Sequence, residues 1–120
     1  MSISSTPFVE KAFNQAQKKA TRERHEFLLP EHLLYALLEQ EPFRVALEPF
    51  DIDHRQLWLK LEQFFQEEVE KVPEGIDYRL ELSGQMNEIV HIAYMQVKAS
   101  NAESMDIPHL IQGLLQQQES

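Results

Sequence analysis

Five histidines, at positions 25, 32, 54, 91 and 109, and 20 acidic residues are the side chains of this 120-residue chain with the chemistry to bind a metal or move a proton. A zinc site on a helix places histidines at i and i+4 with a carboxylate nearby, and no pair here has that spacing. His25 and His32 stand seven apart across the start of a helix, close enough to approach, but the pattern supplies no third ligand. There is no cysteine, so thiolate ligands, disulfides and cysteine nucleophiles are excluded. Glycines occur only at 75, 84 and 113, and none precedes a lysine, which rules out a Walker-type phosphate loop. Carboxylate pairs such as Glu67-Glu68 and Glu39-Glu41 lie on helices or at helix ends and read as solubilising groups. No catalytic residue, metal site or cofactor is predicted. His32 and His109 stand just inside two helix starts, where a ring nitrogen can bond a backbone group and tie down the loop before it.

The formal charge of −9 argues against nucleic acid, whose affinity comes mostly from lysine and arginine on phosphates. The one basic cluster, "KKATRER" at 18–24, reads as a solvated helix face. The apolar runs are too short to span a membrane, and "MSISSTPFVE" lacks the basic start and apolar stretch of a secretory signal. The expected location is the cytoplasm.

Apolar residues recur at helical spacing almost throughout, which predicts an all-α fold. Thr6-Pro7 caps and opens a helix over about 7–24 whose stripe is Val9, Ala12, Phe13, Ala16 and Ala20. A second helix follows Leu29-Pro30, with Leu33, Leu34, Leu37 and Leu38 inward, although Leu29 offers no acceptor at the cap. Pro42 opens a short third helix ending near Pro49. Asp53 caps a fourth that runs to about Lys71, with Gln56 completing a capping box and Trp58, Phe64 and Phe65 in its core face. Pro73 and Gly75 mark a loop over 72–82. Ser83 caps a fifth helix to about Ala99, with Gly84 a weak first residue, and Asp106 caps a sixth.

A shift of 77 residues carries His32 onto His109 without a gap. The same shift carries Leu33, Leu37, Leu38 and Gln40 onto Leu110, Leu114, Leu115 and Gln117, and Glu26 onto Glu103. The stripe Val9, Ala12, Phe13, Ala16, Ala20 lands on Met86, Ile89, Val90, Ala93, Val97 and stays apolar. These correspondences predict an internal duplication with pseudo-two-fold symmetry: one repeat over about 7–71, a linker at 72–82, and a second, partial repeat at 83–120.

"AFNQAQKKATRERHEFLLPEHLLYALLEQ" (12–40) and, more loosely, "LSGQMNEIVHIAYMQVKASNAESMDIPHLIQGLL" (82–115) resemble the N-terminal domain of Clp AAA+ unfoldases. "RHEF" followed by "EHLL" is more similar to the ClpA branch than to ClpB or ClpC. The resemblance implies two similar four-helix repeats in one domain, 1–120, with the last two helices of the second repeat missing. It implies a substrate- or adaptor-recognition domain of an ATP-dependent Clp protease ATP-binding subunit, a protein-binding module with no catalysis of its own. The partners it implies are a ClpS-like adaptor or protein substrates, with the ATPase ring and protease of the parent complex, and neither nucleic acid nor membrane. By resemblance, Glu26 and Glu31, with Glu81 and Leu82, form the protein-binding surface. Pro108 stands where the first copy has Glu31, which removes one of the two glutamates that bind phosphoarginine in the ClpC branch.

If the last two helices are missing, Tyr94, Met95, Leu110, Ile111, Leu114 and Leu115 are left uncovered, and this face would self-associate or stay partly disordered. A free-standing helical adaptor or inhibitor built like the unfoldase domain is the alternative function, and a helical metal-dependent enzyme the third.

Overall fold

The computed structural model describes residues 4–119, and side chains through 117. Six helices are joined by turns and by four two-residue strands, so the fold class is all-α as the periodicity predicts. Helix α1 is Pro7–Arg22, α2 Pro30–Leu38, α3 Glu41–Leu47, α4 His54–Glu67, α5 Gly84–Ala99 and α6 Ile107–Glu119. A 3-10 turn, Glu48–Phe50, follows α3. Four polar caps or prolines read from sequence open helices where expected: the Thr6 hydroxyl accepts the Val9 amide, Ser83 that of Met86, and Asp53 those of Arg55 and Gln56, while Pro30 opens α2. The fourth helix stops at Glu67, short of Lys71.

The strands are β1 Ser4–Ser5, β2 Phe27–Leu28, β3 Glu81–Leu82 and β4 Ser104–Met105. They pair crosswise and in parallel, β1 with β4 and β2 with β3. Ser4 faces Ser104 and Ser5 faces Met105, while Phe27 faces Glu81 and Leu28 faces Leu82. A 77-residue shift turns one ladder into the other, which is the pattern of a two-fold exchange.

The hydrogen bonds repeat at the same offset. Both α1 and α5 end in a Schellman motif: the His25 and Arg24 amides donate to the Ala20 and Thr21 carbonyls, and the Ala102 and Asn101 amides to those of Val97 and Lys98. Arg24 and Asn101 take the left-handed conformation that this motif needs, each at φ 57°. Neither is glycine. Asparagine tolerates that region, and Arg24 compensates with a guanidinium that donates to the carbonyls of Val72, Pro73 and Ile76 at 2.9, 2.8 and 2.6 Å.

Val9, Ala12, Ala16 and Ala20 of α1 are fully buried, and so are their counterparts Met86, Ile89, Ala93 and Val97. Helix α1 packs on α2 and α5 on α6, and the two hairpins meet where α2 touches α5. The pairs divide space differently. At the position that Ala36 holds in the first hairpin, the second sets Gly113 against Ile89. A Cβ on Gly113 would lie 2.7 Å from the Ile89 carbonyl oxygen and 3.2 Å from its Cγ2. Gly113→Ala gains about 1 kcal/mol of helix propensity but must push two backbones apart. Overpacking costs about 1–3 kcal/mol, so a net loss is expected, seen as a lower melting temperature by circular dichroism.

Trp58 is not in the core. It is 37% exposed, stacked on Tyr35 at 5.5 Å, while Phe65 one turn or more along α4 is fully buried. Helical spacing places both on the same side, but Tyr35 of α2 covers the indole only in part. Gly84 starts α5 beneath the Ser83 cap with open space around it.

Candidate functional site

The short connection after α1 is held from behind by two histidines. The His32 Nδ1 accepts the Leu29 amide at 2.8 Å, the reciprocal half of a capping box, and so ties the first turn of α2 to the residue before it although Leu29 offers no acceptor of its own. His32 Nε2 lies 2.8 Å from His25 Nδ1. With its Nδ1 accepting, neutral His32 carries its proton on Nε2 and donates to His25. His25 therefore carries its own proton on Nε2, which is buried with no hydrogen-bond partner. Phe65 stacks on His32 at 4.8 Å and 7°. Burial, then His25, then Lys19, drive the His32 pKa down to about 3, and burial lowers that of His25 as well. Both rings are locked neutral. In the second hairpin His109 Nδ1 likewise accepts the Asp106 amide at 2.9 Å, but Ala102 replaces the second histidine. Among the described residues, no group of three histidine and acidic side chains is arranged to hold a metal ion.

Fixed in this way, the connection presents β2 to β3. The Glu81 amide donates to the Glu26 carbonyl and the Ser83 amide to that of Leu28, at 3.4 and 3.1 Å. Leu28 is buried at 1% exposure, whereas Phe27 and Leu82 are each 40% exposed. Glu26 and Glu81 flank them in solvent. Three of the four residues expected to bind protein, Glu26, Glu81 and Leu82, thus share one edge. Glu31 is not in that ladder: it sits partly buried in the first turn of α2. Phe27 completes the edge and was not singled out from sequence. The signal lay in "HEFL", whose outer residues are buried and inner ones exposed.

The pseudo-symmetric edge, β1 with β4, serves as an internal control. The same backbone there carries Ser104 where β2 has Phe27, Ser5 where β3 has Leu82, and Ser4 where β3 has Glu81. A ladder of this geometry needs no large apolar group at the positions of Phe27 and Leu82. Two such groups ringed by acids on one edge only are therefore a surface feature and not a folding requirement.

A second apolar area lies on α5 and α6. Met95 and Leu115 are 50% and 45% exposed, and Tyr94, Ile111 and Leu114 are half-buried. Leu110, expected to be uncovered, is fully buried against α5. Leu38, which corresponds to Leu115, is only 4% exposed because α3 and α4 cover it. No described helix is long and apolar enough to cross a membrane.

A sequence model described as the Clp repeat (R) N-terminal domain matches residues 4–120. Among solved structures, the Hsp104 N-terminal domain from Candida albicans matches with a TM-score of 0.85 and 16% identity, over 97% of this chain and 76% of that one. The N-terminal domain (1-163) of the ClpV1 ATPase from E. coli EAEC Sci1 T6SS matches at 0.76 and 23% identity, over 92% and 66%. A structure described as a peptide from the EAEC T6SS Sci1 SciI protein contains a chain that matches at 0.81 and 22%, over 96% and 72%. At these identities the likeness is one of fold.

Proposed function

Because this chain belongs to the Clp repeat (R) N-terminal domain family, we propose that it is a recognition module that captures protein partners for a AAA+ unfoldase and performs no chemistry itself. The asymmetry between the two ladders carries the reading. One edge sets Ser4, Ser5 and Ser104 beside Glu103, and the other sets Phe27 and Leu82 beside Glu26 and Glu81. Apolar anchors ringed by charge are how protein interfaces concentrate affinity and tune specificity. The buried histidine pair holds the anchors in place. A peptide in the description of a matched structure supports a polypeptide as the kind of partner.

Within the family, "RHEF" and "EHLL" favour the ClpA branch, with a ClpS-like adaptor as the partner and the cytoplasm as the setting. Glu26, Glu81 and Leu82 carry the docking, with Glu31 a flanking charge at the start of α2.

The second ladder supplies the test. A Phe27→Ser/Leu82→Ser double variant gives the β2–β3 edge the outer side chains of β1–β4 and is expected to keep the helical spectrum. Loss of two anchors of about 2 kcal/mol each weakens partner binding by a factor of the order of several hundred. Adaptor binding is measured by calorimetry with purified ClpS. Undiminished affinity in the folded double variant would remove this edge from the account, and absence of binding by the unaltered domain would remove the adaptor.

A further inference from the structure

Another surface, sharing no residue with the β2–β3 edge, carries the features of a docking site. Between the end of α2, α3 and the start of α4 lies a groove of about 390 Å³ lined by Leu38, Arg44, His54, Arg55, Trp58 and Leu59. Its apolar lining is half in water: Trp58 is 37% exposed and Leu59 56%. Phe50 and Ile52 at the neighbouring turn, 59% and 43% exposed, extend the apolar surface.

Every ionisable group lining the groove is basic or a histidine, in a chain whose formal charge is −9. Arg44 is anchored by an Nη1 bond to the Leu38 carbonyl at 2.8 Å, which leaves the rest of its fork unused. The Arg55 side chain makes no hydrogen bond or ion pair among the described residues. Asp53, the acid nearest Arg55 in sequence, is committed to the amides of Arg55 and Gln56 at 3.0 and 3.2 Å. An aromatic residue and two arginines around an apolar floor are the side chains that most often dominate binding energy.

We propose that this groove docks an acidic amphipathic segment of a partner protein, with a leucine- or phenylalanine-sized side chain between Leu38, Trp58 and Leu59 and a carboxylate on Arg55 and Arg44. The charge of the lining selects the occupant.

Trp58 is the only tryptophan, so its emission reports the groove directly. The probe is an acetylated, amidated peptide of sequence LEELLEELLEEL, with LKKLLKKLLKKL as the control. The acidic peptide is expected to give a saturable blue shift of Trp58 emission that weakens with added salt; the lysine peptide is expected to give none. Arg55→Glu places an acid in the first turn of α4, where the helix dipole favours it, so the fold persists. It is expected to weaken binding roughly tenfold or more. Leu59→Glu is the second variant and is expected to abolish the shift. No shift with the acidic peptide, an equal shift with the lysine peptide, or undiminished binding by folded Arg55→Glu would each overturn the assignment. So would a blue shift that grows with protein concentration alone, which would make a second copy the occupant.

Discussion

Lowering the pH from 7 to 5 is expected to remove about 2 kcal/mol of stability through His32 alone, with His25 adding to the loss. The sign follows from the direction of the shifts. Both folded-state pKa values lie below the ordinary 6.5, so the folded chain holds its imidazoles neutral while the unfolded chain protonates them. The stability of neutral histidine is complete above pH 6.5 and is lost as pH falls from there towards 3, at about 1.4 kcal/mol per unit for a fully locked ring. Geometry gives the reason. A proton on His32 Nδ1 would meet the Leu29 amide, and one on His25 Nδ1 would meet the His32 N–H. Lys19, over the Phe65 ring at 5.3 Å, adds an unfavourable positive charge nearby. Glu62 acts lower: burial opposes its ionisation, but its bonds to Lys19 and Tyr35 hold its pKa below 4.5. The window from 6.5 to 4.5 therefore belongs to the histidines. Urea unfolding at pH 7, 6 and 5 measures the slope. A His25→Leu/His32→Leu double variant, which replaces both partners of the bond, is expected to flatten it. Equal stability of the unaltered domain at pH 7 and pH 5 would contradict the locked pair.

Phe65→Ala is expected to cost about 3–5 kcal/mol, a large share of the 5–15 kcal/mol that holds a domain folded. Phe65 is fully buried and lies under the His32 ring, edge-on to Tyr35 at 5.7 Å and to Phe64 at 5.8 Å. Truncation opens a void at the junction of α2 and α4 that neither helix can close without losing the imidazole stack. A second consequence distinguishes this void from others. Water reaching His32 relieves the burial that depresses its pKa, so the ring is expected to titrate nearer 6.5 in the variant. Proton NMR of the histidine ring resonances across pH 4–8 records it, and chemical denaturation records the stability. A loss below about 1 kcal/mol, the size of a tolerated swap, would place Phe65 outside the core.

The helix starts were the most legible part of the chain, because each is written in one or two residues. Thr6-Pro7, Pro30, Asp53 and Ser83 all open helices, and the 77-residue shift anticipated the correspondence of α1 with α5 and of α2 with α6. What stayed hidden depends on partners distant in sequence. Strands of two residues have no periodicity to read, so the crossed ladders that carry Phe27, Glu81 and Leu82 emerge only from packing. Arg24 and Asn101 end their helices without glycine, and Arg24 does so on bonds to carbonyls some fifty residues away. Trp58 has the spacing of a core residue, yet its stack on Tyr35 of α2 leaves it 37% exposed. Glu31 looked equivalent to Glu26 along the chain, but the turn at Leu29-Pro30 sends it to the start of α2.

Site-specific photo-cross-linking is the most direct trial of the docking edge. A benzophenone amino acid replaces Phe27 or Leu82 in one set of proteins and the exposed Lys60 on α4 in another, each irradiated with the bound adaptor. Adducts are expected from positions 27 and 82 and none from 60. Adducts from 60 with none from 27 or 82 would contradict this docking edge.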